Sequence, residues 1–275
     1  MAQMSLAGEV AVITGGGRGI GRVIAEHMAG EGAKVLLFGR AESSLADAAE
    51  AISANGGKAA IYAGDVSEKA DVLGALEHAE KDLGPVTIVV NNAGIGSGGP
   101  IWESDHEEWW NVFEVNLKGP FLFTWAATKA MVKRGRGCII NMGSYQGIFP
   151  NGSASSYSTS KAALTRLTDC TSESLEGTGV TAFCISPGFV WTDMTRKLDE
   201  RQKENDPNYE PMPEEWVFPA EDCADLCIRL ARGDADALSG RMIHVRDDLD
   251  AMIARAKEII EKDEYALRLT IDVEA

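Results

Sequence analysis

The sequence predicts a single α/β domain built on a doubly wound, parallel seven-stranded sheet. Three observations predict it. Short apolar runs alternate with longer amphipathic segments from one end of the chain to the other. The first apolar run ends in a glycine cluster that opens directly into a helix-length segment. The remaining runs end in polar or turn-forming residues, where such sheets place their ligands.

In order, EVAVIT precedes a helical segment over 20–31, KVLLF one over 42–54, and KAAIYAGDV one over 67–83. VTIVVNNAG leads into 105–134, GCIINMGS into 155–176, and VTAFCISPG into helical pieces that run to 232, before a last run, RMIHV. Strand-like runs separated by helices require right-handed crossovers and parallel pairing, with helices on both faces. No repeat, low-complexity block or Pro/Gly/Ser-rich linker divides the chain, so one domain is expected over 1–246, followed by an extension over 247–275. The polar residues that end the runs are Thr14, Asp65, Asn92 and Ser144, with Pro187 at the sixth.

The first run ends in TGGGRGIG, residues 14–21. Glycines there let the backbone turn sharply and approach a pyrophosphate, while the helix start supplies unpaired N–H groups and a positive dipole end. The spacing is T-G-x-x-x-G-x-G rather than G-x-G-x-x-G, and the second run ends in Gly39 and Arg40 without an acid to bind a ribose 2′-hydroxyl. Arg18 and Arg40 are cations suited to a 2′-phosphate, so NADP is expected over NAD.

Composition narrows the partners. Lys and Arg number 26 against 42 Asp and Glu, a net charge of −16, which opposes nucleic acid and anionic membranes. The N-terminus has no basic and apolar leader, and no apolar run reaches membrane-spanning length, so a cytoplasmic protein is expected. The five cysteines have no CxxC spacing and the four histidines none of ligand type, so no metal site is expected.

In SSYSTSKAAL, Tyr157 stands four residues before Lys161, which puts both on one helix face. Alone, that spacing fits a catalytic pair or a solvated helix face equally well. A free tyrosine, with a pKa near ~10, is phenolate in only about one molecule in a thousand at neutral pH, so a cation held beside it would matter for proton transfer.

Taken together and in this order, TGGGRGIG, NNAG at 91–94, Asn116 in EVNLKGPF, Ser144 in NMGS, YSTSK at 157–161 and SPG at 186–188 resemble the short-chain dehydrogenase/reductase family. The resemblance spans residues 6 to 245. It implies a Rossmann-type fold and hydride transfer between NADP(H) and a ketone or secondary alcohol. Tyr157 would be the general acid/base, Lys161 would bind the nicotinamide ribose and lower the tyrosine pKa, Ser144 would hydrogen-bond the substrate oxygen, and Asn116 would anchor a water beside Lys161. The cofactor would lie against Gly15, Arg18, Gly19, Ile20 and Gly21, with Arg40, Asp65, Val66 and Asn92 at its adenosine end. Tyr157, Lys161, Pro187, Gly188, Val190 and Thr192 would flank the nicotinamide. A homodimer or homotetramer is implied as well.

Substrate recognition is less legible. Ser144, Gln146, Tyr157 and Trp191 are the candidates to face a small carbonyl or alcohol substrate, with residues 189–218 expected as a lid. The ending departs from the family's usual VDGG-like turn. HVRDDLDAMIARAKEIIEKDEY places Leu249, Met252, Ile253, Ala256, Ile259 and Ile260 on one stripe, predicting an amphipathic C-terminal helix. A 3-oxoacyl-thioester reductase is the close alternative; it gains from a basic cluster at Lys129, Lys133, Arg134 and Arg136 and loses from the overall acidity. An NADP-binding sensor without chemistry is the alternative of another class.

Overall fold

Seven apolar runs become seven parallel strands in the computed structural model, which describes residues 5–205 and 209–269. They are β1 (Val10–Thr14), β2 (Lys34–Gly39), β3 (Lys58–Ala63), β4 (Ile88–Asn91), β5 (Gly137–Met142), β6 (Val180–Ser186) and β7 (Met242–His244), in the order β3-β2-β1-β4-β5-β6-β7. The order reverses between β1 and β4, so a crevice opens at their carboxyl ends. Every residue of β1 and β4 is buried, because helices cover both faces of the sheet.

Alternate strand residues feed two cores. Ala11 and Ile13 face a layer built from α1 (Gly19–Gly30), α2 (Glu42–Ala54) and α8 (Ala220–Ala231). Val10 and Val12 face the other layer, with α3 (Lys69–Asp82) and α5 (Gly119–Arg134). The remaining helices are α4 (His106–Phe113), α6 (Ser155–Ser174), α7 (Asp193–Asn205), α9 (Leu249–Ala254) and α10 (Ala256–Glu261). Among the described residues no helix is long and apolar enough to cross a membrane.

Two expected helices are interrupted. The segment over 105–134 starts cleanly, with the Asp105 side chain accepting from the Glu108 amide. A π-helical turn, Glu114–Lys118, then separates α4 from α5. The extra residue in that turn re-aims Asn116 inward, where it is fully buried.

The C-terminal stripe is not one helix. Arg255, at φ −105° and ψ 11°, breaks it into α9 and α10. The break lets Leu249, Met252, Ala256 and Ile259 all reach the core, leaving Ile253 half-buried and Ile260 exposed. It also returns the chain to the sheet edge, where the Met242 amide donates to the Tyr265 carbonyl at 2.9 Å. Asp169 on α6 fastens this return, taking Arg166 and Arg268 at 2.6 Å, with the buried Arg241 at 3.9 Å. The sequence stripe records which residues are apolar, not that β7 has an edge to cover. Residues 206–208 of the expected lid and 270–275 of the extension lie outside the described residues.

Candidate active site

The crevice at the sheet reversal is a cleft of about 580 Å³. Its floor is the glycine loop between β1 and α1. The Gly15 and Gly16 amides donate to the Phe38 carbonyl, which folds the loop over β2. The first turn of α1 has no side-chain cap, so its leading amides are left for a ligand. A Cβ on Gly21 would lie 2.4 Å from both the Gly15 carbonyl oxygen and Asn92 Nδ2, so only hydrogen fits there. Gly21→Ala should therefore weaken dinucleotide binding about ten-fold or more and lower the melting temperature by several degrees, measured by titration and thermal denaturation.

Thr14 joins the loop to NNAG. Its hydroxyl accepts from the Asn92 and Ala93 amides at 3.0 Å, and its carbonyl accepts from Asn92 Nδ2 at 2.9 Å. Asn92 lines the cleft with its amide committed to this joint. Gly15, Arg18, Gly19, Ile20, Arg40, Asp65, Val66, Tyr157, Lys161, Pro187, Trp191 and Thr192 line the same cleft. Gly21, Gly188 and Val190 are not among the residues that line it. Arg40 makes no ion pair among the described residues, whereas Arg18 reaches across to Asp193 at 3.0 Å, both side chains exposed. Asp65 feels burial first, which would raise its carboxyl. The Ser67 amide and hydroxyl, with Arg40 and Lys118, override this and leave its pKa low.

At the other end stand Tyr157 and Lys161, one turn apart on α6. Lys161 is 3% exposed, and its ammonium donates to the Met142 carbonyl at 2.7 Å and lies 5.5 Å from the centre of the Tyr157 ring. Burial pulls its pKa from 10.5 to about 8, slightly opposed by the Cys184 thiol beneath it. Burial likewise raises the Tyr157 pKa, and a hydrogen bond with Ser144 works against that rise.

This differs from the sequence expectation that Lys161 lowers the tyrosine pKa. The ammonium is drawn to a buried carbonyl at the end of β5, an acceptor that i,i+4 spacing on α6 does not reveal. In this arrangement the phenol keeps its proton.

Asn116 is locked by three bonds. Its side chain exchanges two with the backbone of Ile95, each at 2.9 Å, and donates to the Ser160 hydroxyl at 3.1 Å. It thereby holds the loop after β4 against α6. Ser144 and Gln146 do not line the cleft. The Ser144 hydroxyl accepts from the Gln146 amide at 3.2 Å, and the Gln146 carbonyl oxygen accepts from Asn151 at 3.5 Å, turning that side chain into its own loop. Ser144 still meets Tyr157 through the hydrogen bond already described. Trp191 lines the cleft, edge-on to Phe189 at 5.0 Å and under Arg196 at 5.4 Å. Sequence reasoning missed Met142, Ile95 and Ser160, which act through backbone or one hydroxyl, and Arg196, whose surface-helix pattern carries no signal.

The basic cluster does not form a free patch. Arg136 pairs with Glu9, Arg134 with Glu80 at 3.3 Å, and Lys129 lies over the Trp125 ring at 3.6 Å. Folding brings Glu9 and Glu80 to these arginines from distant parts of the chain, while the Trp125 ring lies one turn before Lys129 on α5.

Residues 9–203 match the family model described as short chain dehydrogenase. A short chain dehydrogenase of Pseudocercospora fijiensis is 34% identical over 93% of this chain and 86% of its own. The 3-oxoacyl-[acyl-carrier-protein] reductase of Escherichia coli is 33% identical, covering 88% of this chain and 97% of its own. Among solved structures, a short-chain type dehydrogenase/reductase from Mycobacterium marinum aligns with a TM-score of 0.81 at 31% identity, over 88% of this chain and 95% of that one. A Beutenbergia cavernae protein solved with NADP at low occupancy aligns at 0.79 and 31%, over 89% of this chain and 97% of its own.

Proposed function

As the chain belongs to the short-chain dehydrogenase/reductase family and is an NAD(P)-dependent oxidoreductase, we propose that it reduces a ketone with NADPH, with Tyr157 as the proton donor. The observation that carries this reading is the half-buried Tyr157 and buried Lys161 at one end of a cleft, with Ser144 beside Tyr157, while the other end offers an uncapped helix start and Arg40.

The residues present fit the dinucleotide. The uncapped start of α1 leaves amides where pyrophosphate oxygens need donors, and Gly21 lets α1 pack against the Gly15 carbonyl and Asn92 so that the loop keeps its shape. Arg40, unpaired among the described residues, is available for a 2′-phosphate, and no acid ends β2 to repel one. Asp65, Val66, Pro187 and Thr192 all line the cleft, and the first two would flank the adenosine end and the last two the nicotinamide end. When bound, the reduced nicotinamide supplies hydride to the carbonyl carbon.

The chain's own groups manage the oxygen. Tyr157 holds the proton that passes to the developing alkoxide, and Ser144 donates a hydrogen bond to the same oxygen. Lys161, charged at neutral pH, is placed to replenish the tyrosine and to hold a ribose hydroxyl. Asn116 fixes the loop after β4 against α6, the helix that carries Tyr157 and Lys161, and so acts as a positioning residue.

The test is turnover of a panel of ketones, 3-oxoacyl thioesters and secondary alcohols, followed by nicotinamide absorbance with each cofactor. Turnover of none of them with either cofactor removes the reading. Arg40→Ala should raise the KM for NADPH about ten- to a hundred-fold and change that for NADH little. A wild-type preference for NADH would refute the role given to Arg40.

The Escherichia coli relative favours a second reading, reduction of a 3-oxoacyl thioester. The −16 net charge and the paired state of Arg134 and Arg136 weigh against an acidic carrier protein as partner, and the thioester arm of the panel separates the two. A homodimer or homotetramer agrees with the exposed Trp110 and Phe121 on α4 and α5, and light scattering measures it. The cytoplasm suits a chain whose five cysteines are all free thiols.

A further inference from the structure

The end of β7 is where this chain leaves its family's pattern, and His244 stands there, 7% exposed. Its ring stacks on Tyr145, with centroids 4.4 Å apart and planes at 27°. Its other contact is the Phe218 ring, edge-on at 5.6 Å. The imidazole is fixed from behind: the Arg246 amide donates to Nδ1 at 3.0 Å, and the His244 amide donates to Asp247 at 2.7 Å. The Arg246 guanidinium closes the stack over Phe218 at 4.4 Å.

Each ring leads to one wall of the active site. Tyr145 follows Ser144 directly and belongs to the short turn whose amide holds the Ser144 hydroxyl. Phe218 ends the lid segment, its amide donating to the Phe189 carbonyl at 2.8 Å. Its ring lies 2.3 Å from where a Cβ on Gly188 would be, and Gly188, at φ +68°, shapes the turn that presents Pro187 to the cleft. Among the described residues no other aromatic ring packs against both Tyr145 and Phe218.

We propose that His244 is a positioning residue for the reaction: its ring is the common bearing through which Tyr145 sets Ser144 and Phe218 sets the Pro187–Gly188 turn. A flat ring in this slot keeps the substrate-oxygen donor and the nicotinamide wall in one register. The inference rests on the carbonyl-reduction reading above for its kinetic consequences, not for its structural one.

The test compares His244→Ala, His244→Phe and Tyr145→Ala. With a ketone that the wild type turns over, His244→Ala should lower kcat about ten- to a hundred-fold, the cost of a sub-ångström to one-ångström misplacement. The KM for NADPH should change by less than about three-fold, because the glycine loop and Arg40 hold the other end of the dinucleotide. His244→Phe, which restores a stacking ring, should recover kcat to within about three-fold of wild type. Tyr145→Ala should reproduce much of the loss, and His244→Ala combined with Tyr145→Ala should be far less than the product of the two. Multiplicative losses, or a phenylalanine variant as impaired as the alanine one, would overturn the proposal.

Hydrogen exchange on the cofactor-free protein gives a readout independent of turnover. His244→Ala should speed exchange of the Gln146 and Gly147 amides and of the Phe218 amide together, and His244→Phe should speed neither. Faster exchange on one side only, or on neither, also overturns it. If no ketone is turned over by the wild type, the proposed function fails while the exchange result still stands or falls by itself. If His244→Ala does not fold, His244→Phe must still retain activity and Tyr145→Ala must still lose it.

Discussion

Replacing Tyr157 by phenylalanine should lower kcat for ketone reduction about a thousand-fold, in the middle of the range for loss of a general acid, while the Kd for NADPH stays within about two-fold. The ring contributes packing on both sides of the change; only the hydroxyl and its hydrogen bond with Ser144 are lost. Single-turnover kinetics and a binding titration check the two halves separately. Activity within about ten-fold of wild type would mean that another group, or water, delivers the proton.

The direction of the Tyr157 shift gives this reaction a pH signature. Burial raises the phenol, so it stays protonated through and beyond the neutral range. A raised pKa keeps the acid form, so Tyr157 itself should not limit reduction through neutrality; the first fall should come as Lys161 loses its proton at about 8, and a further one as pH climbs past the raised tyrosine value. Alcohol oxidation needs the phenolate and should rise over that same alkaline interval. A reduction profile that has already lost most of its rate by pH ~7 would instead assign the acid to a group with the pKa of a histidine.

Lys161→Met should cost about a hundred-fold or more in kcat and yet stabilise the cofactor-free protein. In the folded chain Lys161 titrates at about 8 rather than 10.5, so the charged form is disfavoured by about 3 kcal/mol relative to the unfolded chain. The sign follows from proton uptake. Between about 8 and 10.5 the unfolded chain binds a proton that the folded one does not, so stability is lost as pH falls through that interval and the penalty is complete below it. Methionine fills the same apolar slot without charge. It leaves the Met142 carbonyl without its partner, a loss of about 1–2 kcal/mol, so a net gain of about 1–2 kcal/mol at neutral pH is expected. Thermal denaturation should show an increase of a few degrees, largest at neutral pH and gone above the unfolded pKa. A variant less stable than wild type at neutral pH would show that the carbonyl bond outweighs the buried charge.

Much of this site is visible in the chain before it folds because its parts are local. The glycine loop needs only a strand, a run of glycines and a helix start, all within residues 10–30, and the Tyr157 to Lys161 spacing is one turn of one helix. The π-helical turn at Glu114–Lys118 is not visible, because nothing in EVNLK departs from an ordinary helix until Asn116 finds Ile95 and Ser160. The break at Arg255 is hidden for the same reason: the apolar stripe continues through it.

By itself the sequence determined the architecture, the phosphate loop and the order in which the polar strand ends arrive, since strand alternation, glycine conformation and helical spacing act over a few residues. Tertiary structure alone decided which charges remain available. It paired Arg134 and Arg136 with Glu80 and Glu9, joined Arg18 to Asp193, drew the Lys161 ammonium to the Met142 carbonyl, and set His244 between Tyr145 and Phe218. Coulombic, hydrogen-bonding and stacking partners are chosen by distance in space, and burial sets how strongly each one counts.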